Sequence, residues 1–173
     1  MSETASILPD VLGSGLRVVF CGTAPGTASA RAGTYYAGPG NRFWITLHEV
    51  GLTPVLLRPA EFTRLPEFGI GLTDISKTAS GSDVEVGRRG FDPMRLTAAI
   101  AAASPTHLAF NGKNAARGSL GRPVDYGRQP ERTGGAITWV LPSTSGAARG
   151  FWDIEPWGEG GAARAGCSRG PGQ

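Results

Sequence analysis

A three-layer α/β/α sandwich around a central, mostly parallel four-stranded sheet is the architecture this sequence predicts. Two observations carry that expectation. Short apolar runs bounded by Gly or Pro occur at Leu16–Cys21, Gly69–Ile75, His107–Phe110 and Ile137–Leu141, the signature of buried strands. Segments with apolar residues at helical spacing separate them, and strands alternating with helices are the pattern of an α/β domain. The 173 residues are 40% hydrophobic, enough for one core. Residues 1–157 are expected to form that single domain. Residues 158–173 hold six Gly and one Pro and read as a flexible tail.

The elements follow in order. Leu16–Cys21 is β-rich and stops at Gly22, which opens the loop Thr23 to Ser29. A glycine-punctuated stretch with Tyr35 and Tyr36 comes next. Asn41 then caps a helix whose Phe43, Trp44, Leu47 and Val50 share one face, and Gly51 closes it. Residues 55–65 form a second, short helix. Gly69–Ile75 carries an acid, Asp74, at its end. Asp92-Pro93 opens the clearest helix, running to Ala103. After the strand at His107–Phe110 come Asn111-Gly112 and a helix from Lys113 to Arg117. Residues 118–135 are turn-rich, Pro142 stops the last strand, and a helix leads from Ala147 towards Trp157.

Composition narrows the function. No run of about 18 apolar residues occurs, so no membrane span is expected. Met1 to Pro9 lacks a basic region followed by an apolar one, so no signal peptide is expected either. Cys21 and Cys167 are too few for a zinc or iron–sulfur site, and His48 and His107 lie far apart. A cytoplasmic, monomeric protein without metal or cofactor is the expectation. Fifteen of the 17 basic residues are Arg, and residues 87–173 carry eleven bases against six acids. That bias favours an anionic partner.

In a parallel α/β sheet, ligands sit beyond the carboxyl ends of the strands. Three polar or glycine-rich pieces fall there: the loop after Cys21, the end of the run at Asp74, and the loop after Leu141. Gly22-Thr23-Ala24-Pro25-Gly26 has neither dinucleotide-binding nor P-loop spacing; it is either a tight connection or a set of amides facing a polar ligand. Tyr35 and Tyr36 offer a flat face to a base, or one of them enters the core. Asp74 either caps a turn or orients water and offsets positive charge. Ser143-Thr144-Ser145-Gly146 is either a helix cap or a phosphate cradle.

Four motifs, taken together and in this order, carry a resemblance. They are Leu16 to Gly26, Asn41-Arg42-Phe43-Trp44, Gly71-Leu72-Thr73-Asp74, and Leu141 to Gly146. They resemble the bacterial mismatch-specific uracil-DNA glycosylases, relatives of thymine-DNA glycosylase, over residues 16–157. The resemblance implies a uracil-DNA glycosylase fold and a monofunctional enzyme. It would hydrolyse the N-glycosidic bond of deoxyuridine in DNA, leave an abasic site, and need no metal. It implies that Gly22, Thr23 and Ala24 read the base edge, that Tyr36 stacks on the base and that Asn111 reaches the pocket rim. Tyr35 or Tyr36 would exclude the methyl of thymine. Ser143, Ser145, Gly146, Ala147 and Arg149 would form the loop that grips DNA, with Lys77, Lys113, Arg88 and Arg89 on phosphates.

Two departures shape the expectation. The family pattern places Asn, which positions water, where this chain has Ala24; Asp74 is then the expected catalytic group. The family wedge is bulky and apolar where this chain has Ala147, which predicts a preference for single-stranded or easily opened DNA. The alternatives are a catalytically silent module that binds damaged DNA, and a glycosylase for another deaminated base such as hypoxanthine or xanthine.

Overall fold

The computed structural model describes residues 5–146 and 155–157. Its centre is a five-stranded sheet of order β2-β1-β3-β5-β4. The strands are β1 (Val18–Gly22), β2 (Ile70–Asp74), β3 (His107–Asn111), β4 (Gly127–Thr133) and β5 (Ala136–Leu141). β2, β1, β3 and β5 run parallel, as their apolar runs predict.

The fifth strand corrects the expected count of four. β4 lies antiparallel to β5, within the segment read as turn-rich. Its sequence, GRQPERT, has no apolar residue to announce a strand. Two things make it one. The Gly134-Gly135 turn, with φ of 55° and 88°, is the left-handed pair that a tight hairpin needs. Pro130 falls where the register shifts, on an edge strand that can spare its missing N–H.

β1 is buried along its whole length because both faces are covered. Side chains alternate across a strand, so Val18 and Phe20 join one core and Val19 and Cys21 the other. The first core collects Phe43, Trp44 and Leu47 of α2 (Phe43–Glu49), Phe62 and Leu65 of the 3₁₀ helix at Pro59–Phe68, and Trp157. The helix expected over 55–65 is this 3₁₀ segment, where Pro66 in the interior disfavours α geometry. The second core packs Leu96 and Ile100 of α4 (Pro93–Ala103) and Ala115 and Ala116 of α5 (Lys113–Leu120) on the opposite face. Asp92 caps α4, its carboxylate accepting from the Arg95 amide at 3.0 Å.

Two short helices complete the frame, α1 (Thr27–Ala32) and α3 (Asp83–Val86). The outer edge of β2 is covered by the N-terminal segment, where Val11 and Leu72 exchange two backbone hydrogen bonds of 2.9 Å. Trp157 returns to the body of the domain, its indole N–H donating to the Pro142 carbonyl at 2.9 Å. Among the described residues, no helix is long and apolar enough to cross a membrane. Residues 158–173, read as a tail, lie outside the described residues.

Candidate active site

Parallel pairing sets the carboxyl ends of four strands side by side. Gly22 pairs with Asp74 across β1 and β2, and Asn111 with Leu141 across β3 and β5. The loops that leave these strands frame one cleft of about 1020 Å³. The cleft is lined by Gly22 to Ser29, Tyr35, Tyr36, Asp74, Asn111 and Ser143 to Gly146, so three separated sequence motifs share one space.

Asp74 lies at the cleft's inner end, 3% exposed. Its Oδ2 has no hydrogen-bond partner among the described residues. Burial pushes its carboxyl up to about 7; Asp10 adds to the rise, while Lys77, Arg95 and the Gly22 backbone oppose it. A carboxyl poised there, with an open lone pair, can take a proton from water at neutral pH.

The Tyr36 ring stacks on Phe43 at 4.0 Å, and its buried hydroxyl lies near the Asn111 side chain without a well-formed hydrogen bond. Burial first, and then the charge of Asp74, push that phenol far above its ordinary value. Tyr36 holds φ of 53°, a strained left-handed conformation for a residue with a side chain. The carboxylate and the phenol converge on Gly22. A Cβ there would sit 2.7 Å from Asp74 Oδ1 and 3.1 Å from the Tyr36 hydroxyl oxygen. Only glycine leaves that space open.

The first loop is fixed from below. The carbonyls of Gly22 and Thr23 accept from the amides of Ile75 and Ser76 at 2.9 and 2.8 Å. Ala24 lines the cleft with a methyl group, which offers no hydrogen bond. Asn111 is a clamp. Its Nδ2 donates to Thr144 Oγ1 at 2.9 Å and its Oδ1 accepts from the Thr144 amide at 3.0 Å. The loop Ser143 to Gly146 is thereby held over the carboxyl end of β3. Ala147 and Arg149, expected in the DNA-gripping loop, lie outside the described residues.

Other expected residues stand elsewhere. Lys77 was expected to face a phosphate, but it is 7% exposed and turned inward, with its ammonium 2.8 Å from Asp10 Oδ1. The physical reason is the segment before β1, which brings a carboxylate against it. Tyr35 is the member of the tyrosine pair that enters the core. Its hydroxyl donates to the Pro9 carbonyl at 2.8 Å, although the residue also lines the cleft, and it is the Tyr36 hydroxyl that meets Asp74 over Gly22. The Arg89 guanidinium bonds the backbone carbonyls of Glu85 and Val86, at the cleft's Gly81–Glu85 side, and is tied to that short helix. His48 and His107 face Thr53 and Trp139, outside the cleft. Among the described residues, no three His, Cys, Asp or Glu gather as metal ligands.

One feature of the cleft had no signal in the sequence. Tyr126, 41% exposed, stands on the cleft wall, and the Lys113 ammonium lies 4.5 Å from its ring centre. The residue sits in the turn-rich segment, where an isolated Tyr has no pattern to mark it.

Comparison with known proteins agrees with this fold. A solution NMR structure from Methanosarcina acetivorans, of a protein provisionally designated a uracil DNA glycosylase, is 25% identical in sequence. The match covers 89% of this chain and 93% of that one, with a TM-score of 0.63. The sequence profile of the uracil DNA glycosylase superfamily matches residues 9–157, a span that takes in all five strands and every cleft-lining residue but Leu8. By that match over most of its length, the chain belongs to the uracil DNA glycosylase superfamily.

Proposed function

We propose that this protein is a monofunctional uracil-DNA glycosylase of the mismatch-specific type, with Asp74 as its catalytic group. The observation that carries the reading is the buried Asp74 carboxylate, with one oxygen unpartnered, on the floor of the strand-end cleft. A flipped deoxyuridine would enter that cleft, with its base beside Tyr36 and the first loop. The bond from C1′ to the base nitrogen breaks, and its electron pair leaves with the uracil. Water adds to C1′ as Asp74 takes its proton, and the same carboxylate offsets the positive charge developing on the sugar. Ala24 cannot do this work, because a methyl group does not orient water.

The direct test is uracil release from a labelled single-stranded oligonucleotide, compared with a uracil–guanine duplex. Turnover that is faster on the single strand and absent in Asp74→Ala is the expected result. Ala24 favours one second reading, a damage-binding module without turnover. Tight binding with no uracil released would establish that one instead. Release of hypoxanthine or xanthine in preference to uracil would redirect the substrate assignment.

Two predictions follow from the walls of the cleft. Gly22→Ala places a methyl group against both Asp74 and Tyr36, and misplacing a reacting group by about 1 Å costs about 10²-fold. A loss of that size in kcat, with the protein still folded by circular dichroism, is expected. Tyr126→Ala removes an exposed ring on which a neighbouring base can stack, an interaction worth about 1–3 kcal/mol. Its expected effect is a rise in KM for single-stranded DNA of on the order of tenfold, with kcat retained. An unchanged KM would remove Tyr126 from the strand's path.

A further inference from the structure

Behind Asp74 lies a cluster of charges that the proposed mechanism does not use. It wraps the outer edge of β2. Asp10 is its hub: its Oδ1 meets the Lys77 ammonium at 2.8 Å and its Oδ2 the Arg95 guanidinium at 2.9 Å. Thr73 Oγ1 also donates to Asp10 Oδ1, at 2.7 Å. Arg95 reaches on from α4 to the backbone carbonyl of Asp74 itself, at 2.7 Å. Lys77 reaches the other way, to the Tyr35 hydroxyl at 3.1 Å. The three side chains come from the N-terminal segment, the turn after β2, and α4.

We propose that Lys77, Asp10 and Arg95 are positioning residues for Asp74, a charged triad whose two cations favour, and whose one anion limits, the anionic, proton-accepting form of the buried carboxyl. This rests on the reading of Asp74 as the catalytic group. The groups whose charges reach Asp74 are Cys21 on β1, Tyr35 and Tyr36 in the loop before α2, Lys77, Asp10 and Arg95. Burial holds the thiol and both phenols above their ordinary values, so they remain neutral around pH 7. Only the triad carries charge. Burial alone would raise Asp10, yet the bonds from Lys77 and Thr73 and the two cations hold its carboxyl below the usual range. The hub is therefore an anion, and two cations against one anion leave a single positive charge beside Asp74. An interior of low polarity makes that charge felt over several ångströms.

Lys77 favours the Asp74 anion and Asp10 disfavours it, so their removal has opposite signs. A merely structural role would not separate them. The test is a titration of the Asp74 carboxyl by ¹³C NMR in Asp-labelled protein, with the resonance assigned by its absence in Asp74→Asn. Lys77→Met is expected to raise the midpoint by about one pH unit or more, Asp10→Asn to lower it, and the double variant to fall between them. If Lys77→Met does not fold, because Asp10 is left short of a partner, Asp10→Asn and the double variant still isolate the lysine. Removing Lys77 from the Asp10→Asn background must then raise the midpoint.

Equal midpoints, or single variants that move the same way, would overturn the proposal. The acid limb of kcat should follow the carboxyl in each variant. A carboxyl that moves while the rate profile stays fixed would leave the triad standing and remove Asp74 from catalysis. A rate that depends on Asp74, with a carboxyl that none of these variants moves, would remove the triad and leave the proposed function.

Discussion

Asp74→Asn is expected to slow uracil release from single-stranded DNA by about 10²–10⁴-fold, the usual contribution of a positioned general base. The amide fits the space of the carboxylate but takes no proton from water and brings no negative charge to the developing sugar cation. The same argument fixes the pH profile of the wild type. The carboxyl titrates near 7, raised first by burial, and only its deprotonated form accepts a proton. Activity should therefore fall below about pH 7 and level off above it, whereas an ordinary carboxylate would hold its rate down to about pH 4. Rates measured in single turnover from pH 5 to 9 would show which. A variant that keeps its rate, or a wild type indifferent to pH between 5 and 8, would remove Asp74 from the chemistry.

The same substitution should make the protein more stable, and only at neutral to alkaline pH. The folded protein holds the Asp74 carboxyl at about 7, above its ordinary 3.8, so the native state binds a proton that the unfolded chain has already released. The native advantage is complete below pH 4 and is lost as pH rises through 7. At 1.36 kcal/mol per unit, ionising this group costs the fold on the order of 4 kcal/mol. Asn never ionises and avoids that cost. Urea unfolding at pH 8 should show Asp74→Asn more stable by an amount of this order, and at pH 4 the two proteins should match. Acid lability from other carboxylates such as Asp10 is common to both proteins and cancels in the difference. Equal stability at pH 8 would mean that the carboxyl is solvated and not poised. Together the two results would describe a residue whose burial serves activity at the expense of stability.

The strands that build the site were legible in the sequence because they are buried on both faces. A parallel strand between two helix layers is mostly apolar, and the runs Leu16–Cys21 and Ile137–Leu141, each with a single polar residue, read as strands for that reason. Once those strands were placed, the position of the candidate site followed from topology. Asp74 and Asn111 end their strands, Ser143 to Gly146 follow another, and all of them line the cleft. β4 was not legible, since an edge strand of Gly, Arg, Gln, Pro, Glu and Thr takes its conformation from β5 and a glycine turn rather than from its own residues.

The sequence by itself determined the layered α/β architecture and which carboxyl ends carry polar groups, because burial of apolar runs and the punctuation of Gly and Pro are local properties. Only the tertiary structure decided what those groups are. It turned Lys77 from an expected surface cation into an internal one, and it divided the tyrosine pair between core and site. It also set Asp10 and Arg95, 85 residues apart in the chain, against each other behind Asp74. A charge in a sequence reads as solvated surface until something distant excludes the water. Whether a carboxylate is an ordinary acid or a base poised near neutrality is settled by that exclusion and by the charges that share it.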